Sequence, residues 1–253
     1  MNKPRLIARL DIKGPNVVKG IHFEGLRIMG EPDAMATRYY EQGADELLYI
    51  DTVASLYGRN NLVEVVQQAA RHLFVPMTVG GGVRSPDDVK MLLRNGADKV
   101  AINTAAVAEP ELITRIAEIY GSQVLVVSLQ TKQLPDGRRV IYTENGREPT
   151  DLDALEWAQR AEELGAGELL ITSIDQDGTG RGFDSEFAAQ VTASVGIPVI
   201  VSGGANQASD IVNVMESAKV DAVAVASMLH YDRATIESIK TALEGAGIPT
   251  ARH

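Results

Sequence analysis

Residues 78–107 read TVGGGVRSPDDVKMLLRNGADKVAINTAAV, and residues 200–229 read IVSGGANQASDIVNVMESAKVDAVAVASML. In each stretch a short apolar segment leads through a glycine pair into a helix-like segment and then into a second apolar segment. The two stretches start 122 residues apart (200 − 78), the same offset that separates GADELLYID (43–51) from GAGELLITS (165–173). A repeat near half the chain length predicts two similar halves. The alternative, that all such units merely look alike, explains the coinciding glycine pairs less well.

Short apolar segments of this kind recur along the whole chain. Their length, their content of β-branched residues and their lack of strict alternation favour strands that are buried on both faces of a parallel sheet. The segments between them carry apolar residues at helical spacing and stop at glycine. We therefore predict an α/β fold, a single (β/α)8 TIM barrel over residues 1–253 with two similar half-barrels; an open doubly wound sheet is the alternative. The predicted strands are LIARLDI (6–12), ELLYID (46–51), PMTVGG (76–81), KVAIN (99–103), VLVVSLQ (124–130), ELLITS (168–173), PVIVSGG (198–204) and DAVAVAS (221–227).

Composition excludes several classes of protein. A net charge of -10 argues against a nucleic-acid partner, because phosphate backbones recruit basic surfaces. The chain has no cysteine, which excludes disulfides, thiolate metal sites and cysteine nucleophiles. The four histidines show no ligand spacing, so we expect no metal and no cofactor. No apolar stretch approaches the ~18 residues of a membrane span and the first residues lack a signal-peptide core, so we expect a cytoplasmic enzyme without a membrane partner.

The glycine pairs predict two phosphate sites. Gly81-Gly82 follows the third predicted strand and Gly203-Gly204 follows the seventh. Glycines at such turns let the backbone approach a ligand closely and direct N–H groups at an anion. The internal repeat sets Asn103-Thr104 beside the first pair and Ser227 beside the second. Two such sites at one barrel mouth predict a small substrate with a phosphate at each end.

The first strand directs alternate side chains into the barrel. Arg5, Ile7, Arg9 and Asp11 share one face of it, and Asp11 lies nearest the carboxyl end, where barrel enzymes carry their active sites. A carboxylate at that end suits a general acid or base, so we predict that Asp11 is catalytic. The alternative is a strand-end aspartate that only caps a loop.

Three further side chains are candidates at the same mouth. Aligning ARLDIK (8–13) with VSLQTK (127–132) makes Gln130 the counterpart of Asp11 in the second half. Asp177 lies in the loop after the sixth strand, within reach of a substrate hydroxyl. Lys19 lies in a long glycine-containing loop, residues 13–20, that we predict to be a lid. A lysine on an exposed loop is usually only solvated, so Lys19 is a functional candidate only because of a family resemblance.

Together these motifs resemble the cyclase subunit of imidazole glycerol phosphate synthase over essentially the whole chain. The matching stretches are DIK…VVKG, GADELLYIDTVAS, TVGGGVRS, GADKVAINTAAV, GSQ at 121–123, GAGELLITSIDQDGTGRGFD, SGGA and DAVAVASMLH. The resemblance implies that ammonia from a separate glutaminase subunit, bound as a heterodimer, crosses the barrel to a doubly phosphorylated ribulosyl intermediate. The products are imidazole glycerol phosphate and an aminoimidazole carboxamide ribotide. It further implies that Asp11 is catalytic, that Lys19 lies on the mobile loop, and that substrate is bound at Gly82, Asn103, Thr104, Asp177, Gly204 and Ser227.

The resemblance also gives a role to charges at the opposite end of the barrel. Four side chains of alternating sign begin the first, second, fourth and sixth strands, and in the family these positions form a ring at the ammonia entrance. Charges there are more often only stabilising, but the complete set favours a chain that docks a glutaminase. The ring residues are Arg5, Glu46, Lys99 and Glu168, and Asp98 matches a residue of the docking face.

Three departures from the family pattern keep alternatives open. Gln130 stands where the family has its second catalytic aspartate, and Arg9 occupies an interior position that is small in many relatives. Gly14-Pro15-Asn16 replaces the usual Asp-Gly-Arg. These changes resemble a branch of cyclase-like proteins that deliver ammonia for acetamidino-sugar formation in surface-glycan biosynthesis. A non-catalytic barrel that only channels ammonia is a third interpretation.

Overall fold

The first strand, β1 (Arg5–Lys13), begins a ring of parallel strands that closes on itself. The structure is a computed structural model that describes residues 3–54 and 62–251. Each barrel strand pairs in parallel with the next, and the pairings of β12 with β1 and of β10 with β7 complete the ring. The predicted (β/α)8 barrel is therefore confirmed. Its other strands are β4 (Glu46–Asp51), β5 (Met77–Gly80), β6 (Lys99–Ile102), β7 (Leu125–Gln133), β10 (Glu168–Ser173), β11 (Val199–Ser202) and β12 (Ala222–Val225).

Helices between these strands cover the outside of the barrel. Their apolar faces are buried against the strands, as at Val89 and Leu92. Local sequence sets where such a helix begins: Ser85 accepts a hydrogen bond from the Asp88 N–H and Asp88 bonds back, forming a capping box ahead of Pro86. Among the described residues no helix is long and apolar enough to cross a membrane. The helices are α1 (Pro32–Glu41), α2 (Leu62–Ala69), α3 (Pro86–Arg94), α4 (Thr104–Ala108), α5 (Glu111–Tyr120), α6 (Ala154–Glu163), α7 (Ser185–Ser194), α8 (Ala208–Ala218), α9 (Ser227–His230) and α10 (Ile236–Gly245).

Two antiparallel extensions project from the carboxyl ends of β1 and β7. The first is formed by β2 (Asn16–Ile21) and β3 (Glu24–Gly30), and the second by β8 (Arg139–Thr143) and β9 (Glu148–Asp153). None of these four strands was predicted. The expectation of a long loop over residues 13–20 with an exposed lysine was wrong, because Lys19 lies in β2 and is buried.

The extensions strengthen the case for two similar halves. Each half opens with a nine-residue barrel strand that runs on into an antiparallel hairpin. Strand register agrees as well, since Ile7 lies opposite Glu46 in one half and Val126 lies opposite Glu168 in the other. Four residues further along each strand stand Asp11 and Gln130. They are structural counterparts, as the sequence alignment predicted.

The interior of the barrel is apolar between two polar ends. A small cluster of fully buried side chains fills its middle, including Ile7, Leu48 and Ile200. Ala222 and Ala224 of β12 belong to the same cluster. Charged side chains occupy both ends.

Candidate active site at the carboxyl ends of the strands

Asp11 is the centre of a buried ion cluster at the mouth. Its Oδ1 accepts a hydrogen bond from Arg9 Nε at 2.8 Å, and its Oδ2 lies 3.7 Å from Lys19 Nζ. Lys19 Nζ in turn donates to both carboxylate oxygens of Asp177, at 2.7 and 2.9 Å. All four side chains are buried. The structure thus brings the predicted residues Asp11, Lys19 and Asp177 together and adds Arg9 to them.

Two opposing effects set the pKa of Asp11. Burial acts to raise the pKa, because it disfavours the charged carboxylate. The positive charges of Arg9 and Lys19 outweigh burial, so the pKa of Asp11 is lowered below its ordinary value. Burial likewise acts against the charge on Arg9, but Asp11 and Asp177 overcome it and the Arg9 pKa is raised. At neutral pH Asp11 is therefore a carboxylate held in an ion pair.

Arg9 reaches across the barrel rather than along its own strand. Its Nη1 donates to Thr172 Oγ1 at 3.0 Å and to Ser202 Oγ at 3.2 Å, on strands β10 and β11. Strand β12 lies between β1 and β11, and its small residue Ala224 lines the same small cavity as Arg9. The strand periodicity placed Arg9 in the barrel interior, but it did not indicate these two hydroxyls.

The β2–β3 hairpin closes over this cluster. Phe23 lies in the turn between β2 and β3, and its ring centre is 5.9 Å from the guanidinium of Arg9. It also packs against Gly146 in the turn of the other hairpin. His22 fixes the same turn, since its N–H donates to the Asp177 carbonyl and its Nδ1 contacts the Ile174 carbonyl at 2.6 Å. The two hairpins thereby meet above the barrel mouth.

Both predicted glycine turns have the backbone that the hypothesis requires. Gly81 and Gly204 have φ values of 100° and 106°, in the region that favours glycine. A Cβ on Gly81 would collide with the Asp51 carbonyl, and one on Gly204 would collide with the Gly182 carbonyl. No other residue fits at either turn without a shift of the backbone.

The two turns border cavities of very different size. A cavity of about 460 Å³ lies at the first turn and is lined by residues that include Gly81, Gly82, Asn103, Thr104 and Gln130. The cavity at the second turn measures about 20 Å³. Its lining combines the second glycine pair with the ion cluster: Arg9, Lys19, Asp177, Gly203, Gly204 and Ser227. The ion cluster therefore fills the second site in this structure.

Asn103 and Thr104 also support the second hairpin. Asn103 Nδ2 donates to the Tyr142 carbonyl at 3.0 Å, and Thr104 Oγ1 accepts from the Glu144 N–H at 3.1 Å. These bonds hold the tip of the β8–β9 hairpin against the large cavity. Nothing in the sequence motifs indicates this structural role.

His230 is buried behind the cluster. Its Nδ1 lies 2.7 Å from the Tyr39 hydroxyl, and burial lowers its pKa to about 4, so the imidazole is neutral at pH 7. In the described part of the chain no group of three or more histidine, aspartate or glutamate side chains is arranged to hold a metal ion.

The amino ends of the strands carry a closed ring of ion pairs. Arg5 bonds Glu46 at 2.6 Å and also bonds Glu168, while Lys99 lies 3.2 Å from Glu46 and 2.9 Å from Glu168. Each of the four predicted ring residues therefore forms ion pairs with two of the others. Asp98 lies beside the ring, exposed, with one carboxylate oxygen accepting from the Met77 N–H at 2.8 Å.

Comparison with known proteins agrees with this arrangement. The profile of the family described as histidine biosynthesis protein matches residues 5–235. A relative from Legionella pneumophila is 59% identical over 204 residues, which are 81% of this chain and 96% of the relative. One from Bifidobacterium adolescentis is 49% identical and one from Dehalococcoides mccartyi is 47% identical, covering 96% and 98% of both chains. All three are named imidazole glycerol phosphate synthase subunit HisF. With the profile and the relatives spanning most of its length, this chain belongs to the histidine biosynthesis protein family.

Proposed function

We propose that this chain is the cyclase subunit of an imidazole glycerol phosphate synthase. The observation that carries the proposal is the mouth itself: Asp11, Lys19 and Asp177 lie between two glycine turns on opposite sides of one barrel. The shared name of the relatives supports the same reaction. The enzyme uses ammonia to close an imidazole ring and splits a doubly phosphorylated ribulosyl substrate, which carries an aminoimidazole carboxamide, into imidazole glycerol phosphate and an aminoimidazole carboxamide ribotide, in histidine biosynthesis. A cytoplasmic location, expected from the sequence, forms part of this proposal.

In this proposal the substrate spans the mouth with one phosphate at each glycine turn. Backbone N–H groups of Gly81-Gly82 and the side-chain hydroxyl of Thr104 hold the first phosphate. The second phosphate binds at Gly203-Gly204 and Ser227. Because that cavity measures only about 20 Å³, binding there requires the Lys19–Asp177 contact to loosen and the β2–β3 hairpin to open.

Asp11 performs the proton transfer at the reacting end of the substrate. Its carboxylate is ionised, so it accepts a proton from the ammonia nitrogen as that nitrogen attacks the substrate carbonyl. Gln130 faces the same mouth but can neither give nor take a proton near neutral pH. Ring closure in this chain therefore depends on one carboxylate where the family uses two.

A glutaminase subunit is the proposed partner at the amino ends of the strands. The ring of Arg5, Glu46, Lys99 and Glu168 is the proposed ammonia entrance. The chain has no cysteine with which to hydrolyse glutamine through a thiolate, which supports an external source of ammonia.

Reversing charge beside the ring is expected to weaken this complex. The variant Asp98→Lys with Lys99→Glu should raise the dissociation constant about tenfold, or ~1.4 kcal/mol, measured by calorimetry with the glutaminase subunit from the same organism. Asp98→Asn is the control, because an amide oxygen still accepts from the Met77 N–H and keeps the start of β5 intact. A wild-type chain that binds no glutaminase would remove the basis for ammonia transfer.

The comparisons favour the histidine-pathway reaction over the two alternatives raised by the sequence. Neither acetamidino-sugar formation nor a non-catalytic channelling scaffold gains support from the named relatives. The buried ion cluster at the mouth also has no purpose in a barrel that only conducts ammonia, because desolvating four charges is costly.

Direct product analysis tests the proposed reaction. Purified chain, the doubly phosphorylated ribulosyl substrate and an ammonium salt at alkaline pH are expected to release imidazole glycerol phosphate, detected by mass spectrometry. Omitting ammonium should remove the product. If no product forms from the wild type, from Gln130→Asp or from the glutaminase complex, the proposed function is wrong.

A further inference from the structure

Three carboxamide side chains line the large cavity, and each carries polar atoms without a partner. Asn103 Oδ1, Gln130 Oε1 and both side-chain heteroatoms of Asn145 are buried and form no hydrogen bond within the described residues. Asn145 is 8% exposed, and so is Gln130. Neither the resemblance nor the sequence motifs assign any role to Asn145.

The position of Asn145 is set by the fold. It occupies the turn between β8 and β9 with a φ of 57°, a left-handed conformation that asparagine tolerates better than most residues. The preceding Glu144 N–H is bound by Thr104, and the following Gly146 packs on Phe23. Contacts on both sides therefore hold the side chain at the cavity wall.

Orphan polar atoms in such a wall call for an explanation. Most buried side-chain N and O atoms in folded proteins have at least one hydrogen-bond partner. A binding site is an exception, because its buried polar groups are satisfied only when the ligand arrives. In this cavity the orphan atoms come from adjoining segments, since Asn103 follows β6, Gln130 lies in the neighbouring β7 and Asn145 lies in the hairpin that extends β7. This proximity indicates one ligand group.

The chemistry of the wall defines that group. Each carboxamide offers an acceptor oxygen and a donor NH2 group. If the amide group of Asn145 is rotated so that its oxygen and nitrogen change places, the side chain still presents one acceptor and one donor to the cavity. The three side chains are uncharged, so they complement a neutral group that also has both a donor and an acceptor. A carboxamide on the ligand satisfies these conditions, because its N–H groups meet the oxygens of Gln130 and Asn103 while its own oxygen meets the Asn145 N–H.

We propose that Asn145, with the oxygens of Gln130 and Asn103, forms a subsite for the carboxamide group of the substrate. This inference rests on the proposed function, in which the substrate and one product carry an aminoimidazole carboxamide. Asn145 is then a substrate-positioning residue that selects the carboxamide and orients the imidazole end of the molecule at the mouth. In this role Gln130 serves binding rather than proton transfer.

Binding of two matched ribotides to Asn145→Gly tests the subsite. The probes are aminoimidazole carboxamide ribotide and aminoimidazole ribotide, which lacks the carboxamide; both are titrated by calorimetry into the chain alone. Glycine accepts the left-handed φ without strain, so the turn is retained while the side chain is removed. We expect binding of the carboxamide ribotide to weaken about tenfold, or ~1.4 kcal/mol, and binding of the other ribotide to stay unchanged.

Lys219→Gly is the matched control. Lys219 also has a left-handed φ, 52°, but it is exposed at the end of α8, away from the mouth. This variant should bind both ribotides as the wild type does. Equal weakening of both ribotides in Asn145→Gly, or no weakening of either, overturns the subsite while leaving the proposed function intact. Failure of the wild type to bind either ribotide overturns both.

Discussion

Arg9→Met is expected to lower the free energy of unfolding by about 3 kcal/mol at neutral pH. Removing one partner of a buried ion pair typically costs ~3–5 kcal/mol, because the other charge is left without compensation in an apolar environment. Asp11 would be that charge, since it is buried and bonded to Arg9 Nε at 2.8 Å. The lower end of the range applies because Lys19 Nζ remains 3.7 Å from the carboxylate. Urea denaturation measures the loss.

The loss should depend on pH in a defined direction. In the wild type the lowered pKa of Asp11 gives a stabilisation that is present above its unfolded value of 3.8 and is lost as the pH falls through the folded value. Without Arg9 burial prevails, and we expect the pKa of Asp11 to rise above the unfolded value. Protonation then relieves the buried charge, so the gap between variant and wild type is widest near pH 8 and narrows toward about pH 5.

A double variant separates this effect from simple loss of packing. Arg9→Met combined with Asp11→Asn removes both charges, so most of the pH dependence of the gap should disappear and part of the stability should return. An equal loss at both pH values in Arg9→Met would show that the methionine disturbs packing and that the ion pair contributes little.

Local periodicity carried the successful sequence predictions. The alternation of Arg5, Ile7, Arg9 and Asp11 follows from the two-residue repeat of a strand, and it correctly assigned all four side chains to the interior. The glycine turns were equally accessible, because only glycine accepts the backbone found at Gly81. Such features depend on a few neighbouring residues.

The features that were missed depend on distant parts of the chain. Most side chains of β3 are exposed, and neither β2 nor β3 shows a clear alternation of buried and exposed residues. The sequence therefore did not reveal that these strands pair, and Lys19 was expected to be solvated. Asp177 buries Lys19 from 158 residues away. The one local signal that was available is Asn145-Gly146, a dipeptide typical of hairpin turns, which would have indicated the second hairpin.

Gln130→Asp is expected to accelerate ammonia-dependent cyclisation by at least tenfold. Gln130 is the structural counterpart of Asp11, since Thr172 lies opposite Gln130 in β10 as Ile50 lies opposite Asp11 in β4. It lines the large cavity with its Oε1 unbonded within the described residues, so an aspartate there would face the substrate directly. A positioned acid or base is typically worth ~10²–10⁴ in rate, and tenfold requires only ~1.4 kcal/mol of the barrier.

The rate and its pH profile together decide what residue 130 does. Release of imidazole glycerol phosphate is followed with ammonium salt in place of the glutaminase, for the wild type, Gln130→Asp and Gln130→Asn. The asparagine variant matches the length of aspartate but cannot ionise, so only Gln130→Asp should gain rate, and its profile should acquire a second ionisation. If the wild type already turns over at ordinary enzymatic rates and Gln130→Asp adds nothing, one carboxylate suffices for ring closure. If Gln130→Asn gains as much rate as Gln130→Asp, the gain comes from the shorter side chain and not from a proton donor. Residue 130 then acts on binding alone.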